Sequence, residues 1–149
     1  MSGDISRLFG RAVQDLLEAA LPAGTDVYYG KVTRPDHELT YPYVVVWVIP
    51  ATLIRGNLAG NLASPDSRVQ LTGVGRDEDE VALVLDRCGY ALQGQRPTIT
   101  GYRAGLIWQV PIQVPITRNE DLWTPEGTPT YRGVSMFRLS SEPVPAVGS

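Results

Sequence analysis

The most apolar stretch of the sequence runs from Tyr41 to Pro50 and reads Tyr-Pro-Tyr-Val-Val-Val-Trp-Val-Ile-Pro. Proline stands near both ends, and proline fixes φ and donates no hydrogen bond to a neighbouring strand. Between the prolines, Tyr43–Ile49 consists of aromatic and β-branched residues, which suit a packed, pleated surface. Because polar and apolar residues do not alternate, we expect both faces of this strand to be covered. The stretch therefore predicts a strand at the centre of a sheet.

Two segments have apolar residues at helical spacing and should pack on this sheet. The first is Ser2–Leu21, which ends at a proline and a glycine. The second is Asp77–Leu92, where Asp77 and Glu80 form a pair like a capping box. Its outer side carries Leu83 and Tyr90, a patch that suits a partner surface as well as ordinary exposure. Four consecutive acids lie at the positive end of the dipole of this helix. They are Asp77, Glu78, Asp79 and Glu80.

The other extended segments complete an α+β pattern. Strands are predicted at Val27–Val32, at Ser67–Gly75 with half its side chains exposed, and at Tyr131–Leu139. The segment Trp108–Ile116 alternates and has two prolines of the same parity, which is typical of an edge strand. We expect a mostly antiparallel sheet with both helices packed on it and long loops between strands. Residues 1–139 should form a single domain, and residues 140–149 a disordered tail.

Two long loops are predicted, over Thr52–Pro65 and Arg118–Thr130. The first repeats a Gly-Asn-Leu-Ala unit, which supplies turn-forming residues every few positions. Its apolar side chains are too many for a loop that only meets solvent. Either this loop folds over the core or it docks on another chain. The apolar residues are Leu53, Ile54, Leu58 and Leu62.

The composition excludes several classes of partner. Of 149 residues, 43% are hydrophobic and 19% charged, which indicates a globular domain. A net charge of −3 gives no basic surface for nucleic acid or an anionic membrane. No apolar run approaches the ~20 residues of a membrane span, and the N-terminus does not resemble a signal peptide. With a single cysteine, Cys88, we expect a soluble protein made in a reducing cytoplasm.

No motif for catalysis or for a cofactor stands out. Gly73 and Gly75 precede the second helix, but a dinucleotide fingerprint would need glycine where Glu78 stands. The acids there would repel a pyrophosphate, and a tight strand–helix turn explains both glycines. His37 lies between two acids, but the sequence has no second histidine to complete a zinc site. Cys88 lies on the core stripe, where thiols are usually inert. We therefore predict no enzyme, no cofactor and no metal.

The order of these features resembles the tail terminator (minor tail) proteins of long-tailed, siphovirus-type phages. The matching features are a helix near the N-terminus, the strand Tyr41–Val46 after a polar loop, and the alternating strand Arg68–Thr72. The acid-started helix Asp77–Leu92 and a closing β segment follow. The resemblance extends over roughly Ser2–Leu139.

The resemblance implies an α+β subunit of a hexameric ring that caps the tail tube and ends its growth. The ring would offer a joining surface to head-completion or neck proteins, and DNA would pass through its lumen without specific binding. The protein would thus be made in the host cytoplasm and end at the head-proximal end of the virion tail. Its subunit or tube contacts would come from the first loop, from the second helix and from two arginines. These are Leu53, Ile54, Arg55, Leu58 and Leu62; Leu83 and Tyr90; and Asp77, Glu78, Asp79 and Glu80 facing Arg103 and Arg118 of the next subunit.

Two other classes of function stay open at this point. One is another structural protein of the neck or tail, either a head-closure protein or a tube subunit. The other is a small cytoplasmic enzyme or ligand-binding domain. It would need a pocket of convergent polar groups, for example around Asp36, His37 and Trp123.

Overall fold

The computed structural model describes residues 4–54 and 64–144. The helices are α1 (Ile5–Ala20) and α2 (Glu78–Leu92), with a 3-10 turn at Asp36–Glu38. The strands are β1 (Val27–Tyr29), β2 (Tyr43–Ile54), β3 (Ser64–Gly75), β4 (Tyr102–Val110), β5 (Thr117–Trp123) and β6 (Pro129–Pro143). All six strands form one sheet, and the predicted α+β class is confirmed. None of the helices in the described ranges has both the length and the apolar character that a membrane crossing requires.

The sheet has the order β1-β2-β3-β6-β4, with β1 parallel to β2 and the other pairs antiparallel. The long strand β6 pairs with β3 over Tyr131–Ser140. It also pairs with β4 through its C-terminal part and with β5 through its N-terminal part. The prediction that Tyr43–Ile49 is central was wrong. This segment lies in β2, next to the three-residue edge strand β1, while β3 and β6 occupy the middle.

Both helices pack on the same face of the sheet. The buried stripe of α1 includes Phe9, Val13 and Leu17, and that of α2 includes Val84 and Cys88. These side chains form one cluster with alternate residues of the strands, so the prediction that both helices pack on the sheet is confirmed. The strand residues of this cluster are Val44, Val46, Val69, Leu71, Ala104, Ile107, Phe137 and Leu139.

A smaller cluster covers one end of the opposite face. Tyr28, Leu39, Tyr43, Val45 and Val74 are buried there, and Leu122 of β5 packs against them. The rings of Tyr28 and Tyr43 meet edge to face, with centroids 5.6 Å apart. The first residues of β2 are therefore covered on both faces, as predicted. The coverage ends at Trp47, whose side chain is 42% exposed.

Two predictions for the second half of the chain were wrong. The supposed loop Arg118–Thr130 contains β5, which has no apolar alternation because five of its seven residues are polar. Backbone pairing with β6 holds it in place. The predicted edge strand over Trp108–Ile116 ends at Val110, and Pro111 begins a segment without regular structure. The edge position itself is correct, since β4 is the last strand of the sheet.

The C-terminal strand is longer than predicted. Ser140–Pro143 was expected to be disordered but belongs to β6. Its last three residues pair with Tyr102–Ala104 of β4. Small polar residues give no clear pattern from which a strand can be predicted. Two of them in this strand, Ser135 and Ser141, are nevertheless buried. Residues 145–149 of the predicted tail lie outside the described part of the chain. Likewise, the ends of the predicted loop Thr52–Pro65 are strand residues, and its central residues 55–63 are not described.

Candidate interaction surface

Backbone groups on the outer side of β4, and on the part of β2 that extends past β1, are already bonded within the chain. At β4, the Ile107 amide donates to the Gln95 carbonyl at 2.8 Å, and the Gly94 amide donates to the Ile107 carbonyl at 2.8 Å. The Gln109 amide donates to Oε1 of Gln93 at 2.7 Å. On β2, the Ala51 amide donates to Oγ of Ser6 at 2.8 Å. A partner strand added at these positions would have to break existing bonds, so these edges resist sheet extension.

The face of the sheet opposite the helices is open away from the tyrosine cluster. Register places Trp47, Gln70 and Met136 in one row across β2, β3 and β6. It places Arg68, Arg138 and Trp108 in a second row across β3, β6 and β4. Trp108 is 51% exposed. We call these six residues the open sheet face: Trp47, Arg68, Gln70, Trp108, Met136 and Arg138. Aromatic and arginine side chains together are typical of the centres of protein interfaces.

The open sheet face has a local positive charge. Arg68 Nη2 and Arg138 Nε lie 3.7 and 3.5 Å from the two carboxylate oxygens of Asp66. One carboxylate thus stands between two guanidinium groups, leaving the cluster with one excess positive charge. The side chains of Arg68 and Arg138 are each 42% exposed, whereas that of Asp66 is only 12% exposed. Both arginines therefore remain accessible to a further acid while they stay paired with Asp66.

The N-terminus of α2 is capped as the sequence predicts, with one difference. The Asp77 side chain accepts a hydrogen bond from the Glu80 amide at 2.8 Å. The Glu80 carboxylate turns to Arg76, accepting from its amide at 3.0 Å and from its Nη2 at 2.9 Å. Asp77 and Glu80 are therefore engaged within the chain, while Glu78 and Asp79 are exposed beside them.

A row of exposed residues runs along the outer side of α2. Asp79, Leu83, Asp86 and Tyr90 are spaced four, three and four residues apart, which places them on one side of the helix. Leu83 is 47% and Tyr90 90% exposed, so both project outward as the helical spacing predicts. We call these four residues the α2 row. It combines two apolar side chains with two carboxylates.

A groove lies between α2 and the strands next to it. Its volume is about 390 Å³, and Leu85, Gly89 and Tyr90 of α2 line it together with Gln109 of β4 and Ser135 of β6. Asp86 also borders it. Cys88, the residue of α2 before Gly89, is fully buried in the core. Burial raises the pKa of its thiol to about 12. The groove therefore offers apolar and amide surface without a reactive thiolate.

The glycines before α2 serve close packing. A Cβ on Gly73 would lie 3.0 Å from Cγ of Leu85, and one on Gly75 would lie 3.0 Å from Cβ of Glu80. These residues let α2 approach the sheet, in line with the strand–helix turn expected from the sequence.

The polar segment around His37, considered above as a metal site, is part of the 3-10 turn Asp36–Glu38. Within 4–54 and 64–144, no group of three or more metal-ligating side chains is placed to hold an ion.

The structure does not bring all the predicted contact residues together. Leu53 and Ile54 end β2, whereas Arg55, Leu58 and Leu62 lie outside the described residues. Arg103 is exposed on β4, in register with Glu142. Arg118 is exposed on β5, and its Nε lies 3.5 Å from Glu120. The proposed pairing of these arginines with the acids of another subunit stays a prediction.

The sequence interpretation missed the open sheet face. The alternation from Trp108 onward is visible in the sequence, but it does not tell which face is buried. The structure places Ile107, one residue earlier, in the core and turns Trp108 outward. The positions of both helices decide which face stays open, and no local pattern encodes that choice.

The comparisons with known proteins show a shared fold. No family model and no curated protein matches the sequence. A chain in the solved virion of a native gene transfer agent particle is similar in structure, with a TM-score of 0.67 and 18% identity over 95% of this chain and 99% of that one. A second solved structure, which bears no functional name, has a TM-score of 0.56 and 20% identity over 98% and 99%. Both likenesses extend over nearly the whole of each chain.

Proposed function

We propose that this chain is a structural protein of a phage or phage-like virion. The observation that carries the proposal is the likeness in fold, over nearly the full length of both chains, to a component of a gene transfer agent virion. A component of a particle works by contact with its neighbours, and no catalytic group is needed for that. The exposed tryptophans and arginines of the open sheet face suit such contacts.

Within such a particle, we propose the role of a tail terminator that forms a ring on the end of the tail tube. The order of helices and strands that carries the resemblance in the sequence supports this role. The closed edges of β2 and β4 also support it, because they direct subunit contacts away from open-ended sheet extension. The ring would be hexameric, would stop growth of the tube, and would offer its other side to neck proteins.

The test is electron microscopy of particles produced when this one gene is disrupted. A terminator predicts tails that are overlong and variable in length, and that are not joined to filled heads. Tails of normal length that fail to join heads would overturn the terminator role and indicate a neck protein. Normal infectious particles would overturn the structural role altogether. Complementation with the intact gene is the control, and it should restore tail length.

A further inference from the structure

We propose that the ring contact joins the α2 row of one copy to the open sheet face of the next, with Trp108 in the groove beside Tyr90 and Arg138 facing Asp86. The inference rests on the proposed ring function and names the surface that would build the ring. Its partner is a second copy of this chain.

The sheet half of the contact is a directly opposed pair. Trp108 and Arg138 are cross-strand partners of β4 and β6. Partners of this kind have Cβ atoms ~4.5–5.5 Å apart. The indole of Trp108 projects from the sheet, 51% exposed, and a buried aromatic side chain removes ~150–250 Å² from water. The pair thus presents an apolar knob with a positive charge at its side.

The helix half presents the matching arrangement. Asp86 and Tyr90 are four residues apart on α2, so their Cβ atoms lie ~5–6 Å apart. The groove of about 390 Å³ opens next to them, and Gly89 leaves its floor free of a side chain. A Cβ built on Gly89 would have its nearest neighbour, Oε1 of Gln109, at 3.5 Å. The Cβ separation typical of the Asp86–Tyr90 pair, ~5–6 Å, is therefore similar to that typical of the Trp108–Arg138 pair, ~4.5–5.5 Å.

Charge selects a head-to-tail contact over a two-fold one. The open sheet face carries Arg68 and Arg138, and the α2 row carries Asp79 and Asp86. Two sheet faces brought together would oppose arginines, and two α2 rows would oppose carboxylates. Joining unlike surfaces pairs the charges with opposite sign.

The two halves lie on opposite faces of the same edge of the sheet. Trp108 points away from the helices, while the next residue, Gln109, lines the groove on the helix side. One copy can therefore engage a neighbour on each face at once. A contact between two different surfaces of the same chain propagates from copy to copy, and it closes into a ring when the rotation per copy allows.

The experiment is a charge exchange read by sedimentation of the full chain. Arg138→Glu and Asp86→Arg should each sediment as monomers under conditions in which the unaltered chain assembles. An equimolar mixture of the two variants should assemble again with equal numbers of each, because every contact in it pairs opposite charges. Arg96→Glu and Asp15→Arg are matched controls on exposed residues outside the contact, and both should assemble normally.

The other outcomes distinguish failure of the ring function from failure of this contact. If the unaltered chain stays monomeric up to its solubility limit, the ring function itself fails. If it assembles and the two variants assemble as the controls do, or if their mixture stays monomeric, this contact is wrong and the ring function stands. Because Arg138 also pairs with Asp66, Trp108→Ser is measured in parallel. It should raise the concentration needed for assembly at least about tenfold, and an unchanged concentration would overturn the contact.

Discussion

The height of α2 above the sheet is set by a pair of facing glycines, and this can be tested by double mutation. Gly73 and Gly133 are cross-strand partners of β3 and β6. A Cβ on Gly133 would lie 3.0 Å from Cδ1 of Leu85 and 3.1 Å from Cγ1 of both Val81 and Ile116. Such distances are tighter than ordinary contacts between carbon atoms, so an added methyl group would force these three side chains to move by a few tenths of an ångström.

The magnitude follows from two opposing contributions. Overpacking a well-packed site costs about 1–3 kcal/mol, while replacing glycine inside a strand otherwise gains roughly 0.5–1 kcal/mol. Gly133→Ala should therefore lower the free energy of unfolding by up to about 2.5 kcal/mol. In a Leu85→Ala background one of the three close contacts is gone and the others have space to move into, so the same substitution should cost clearly less. The two changes should thus be coupled by roughly 1–2 kcal/mol.

The assay is equilibrium unfolding in denaturant of the parent, both single variants and the double variant. Gly89→Ala is the control, because it adds a methyl group to α2 where there is space. It should stabilise the protein by up to about 1 kcal/mol through helix propensity. Additive effects of Gly133→Ala and Leu85→Ala, within about 0.5 kcal/mol, would contradict a close contact between these two positions.

Three further predictions concern the helices. Asp77→Ala should cost about 1 kcal/mol of stability by removing the cap on the Glu80 amide, whereas Asp77→Asn should retain most of it; equal losses in thermal unfolding would contradict the capping role. Phe9→Ala, at a fully buried position of α1, should cost about 3–5 kcal/mol in chemical denaturation, and a loss below 1 kcal/mol would contradict its place in the core. Burial raises the pKa of the Cys88 thiol from 9.0 to about 12, so the folded state holds this proton more tightly than the unfolded state. Stability should be unaffected by this group below pH 9 and should fall as pH rises toward 12; Cys88→Ala should flatten that part of the profile, and an unchanged slope would contradict the assignment.

Much of the helical half of the fold could be predicted from the sequence because burial there follows a strong period. The stripe of α1 and the stripe of α2 each mark a single buried side, and Asp77 marks where α2 begins. The outward position of Leu83 and Tyr90 follows from the same period. In contrast, β5 has no period to detect, since it lies at the margin of the sheet and is held by backbone bonds to β6. Tertiary pairing decided its structure.

The candidate surface could be predicted only in part, and the reason is topological. The tryptophans of β2 and β4 can be identified as exposed only when it is known which face of the sheet α1 and α2 cover. Both helices cover the face of Val44 and Val46, which leaves the face of Trp47 open. That choice depends on the connections between distant segments. The register that sets Trp108 beside Arg138 depends on the β-bulge between Ala104 and Ile107, which the sequence does not mark clearly.

The central claim is that copies of this chain close into a ring, and electron microscopy of the purified, assembled full-length protein tests it most directly. We predict single-layered closed rings with a central channel and one fixed number of subunits. Open-ended tubes or filaments of variable length would contradict the claim, because they would show that the contact between copies does not close on itself.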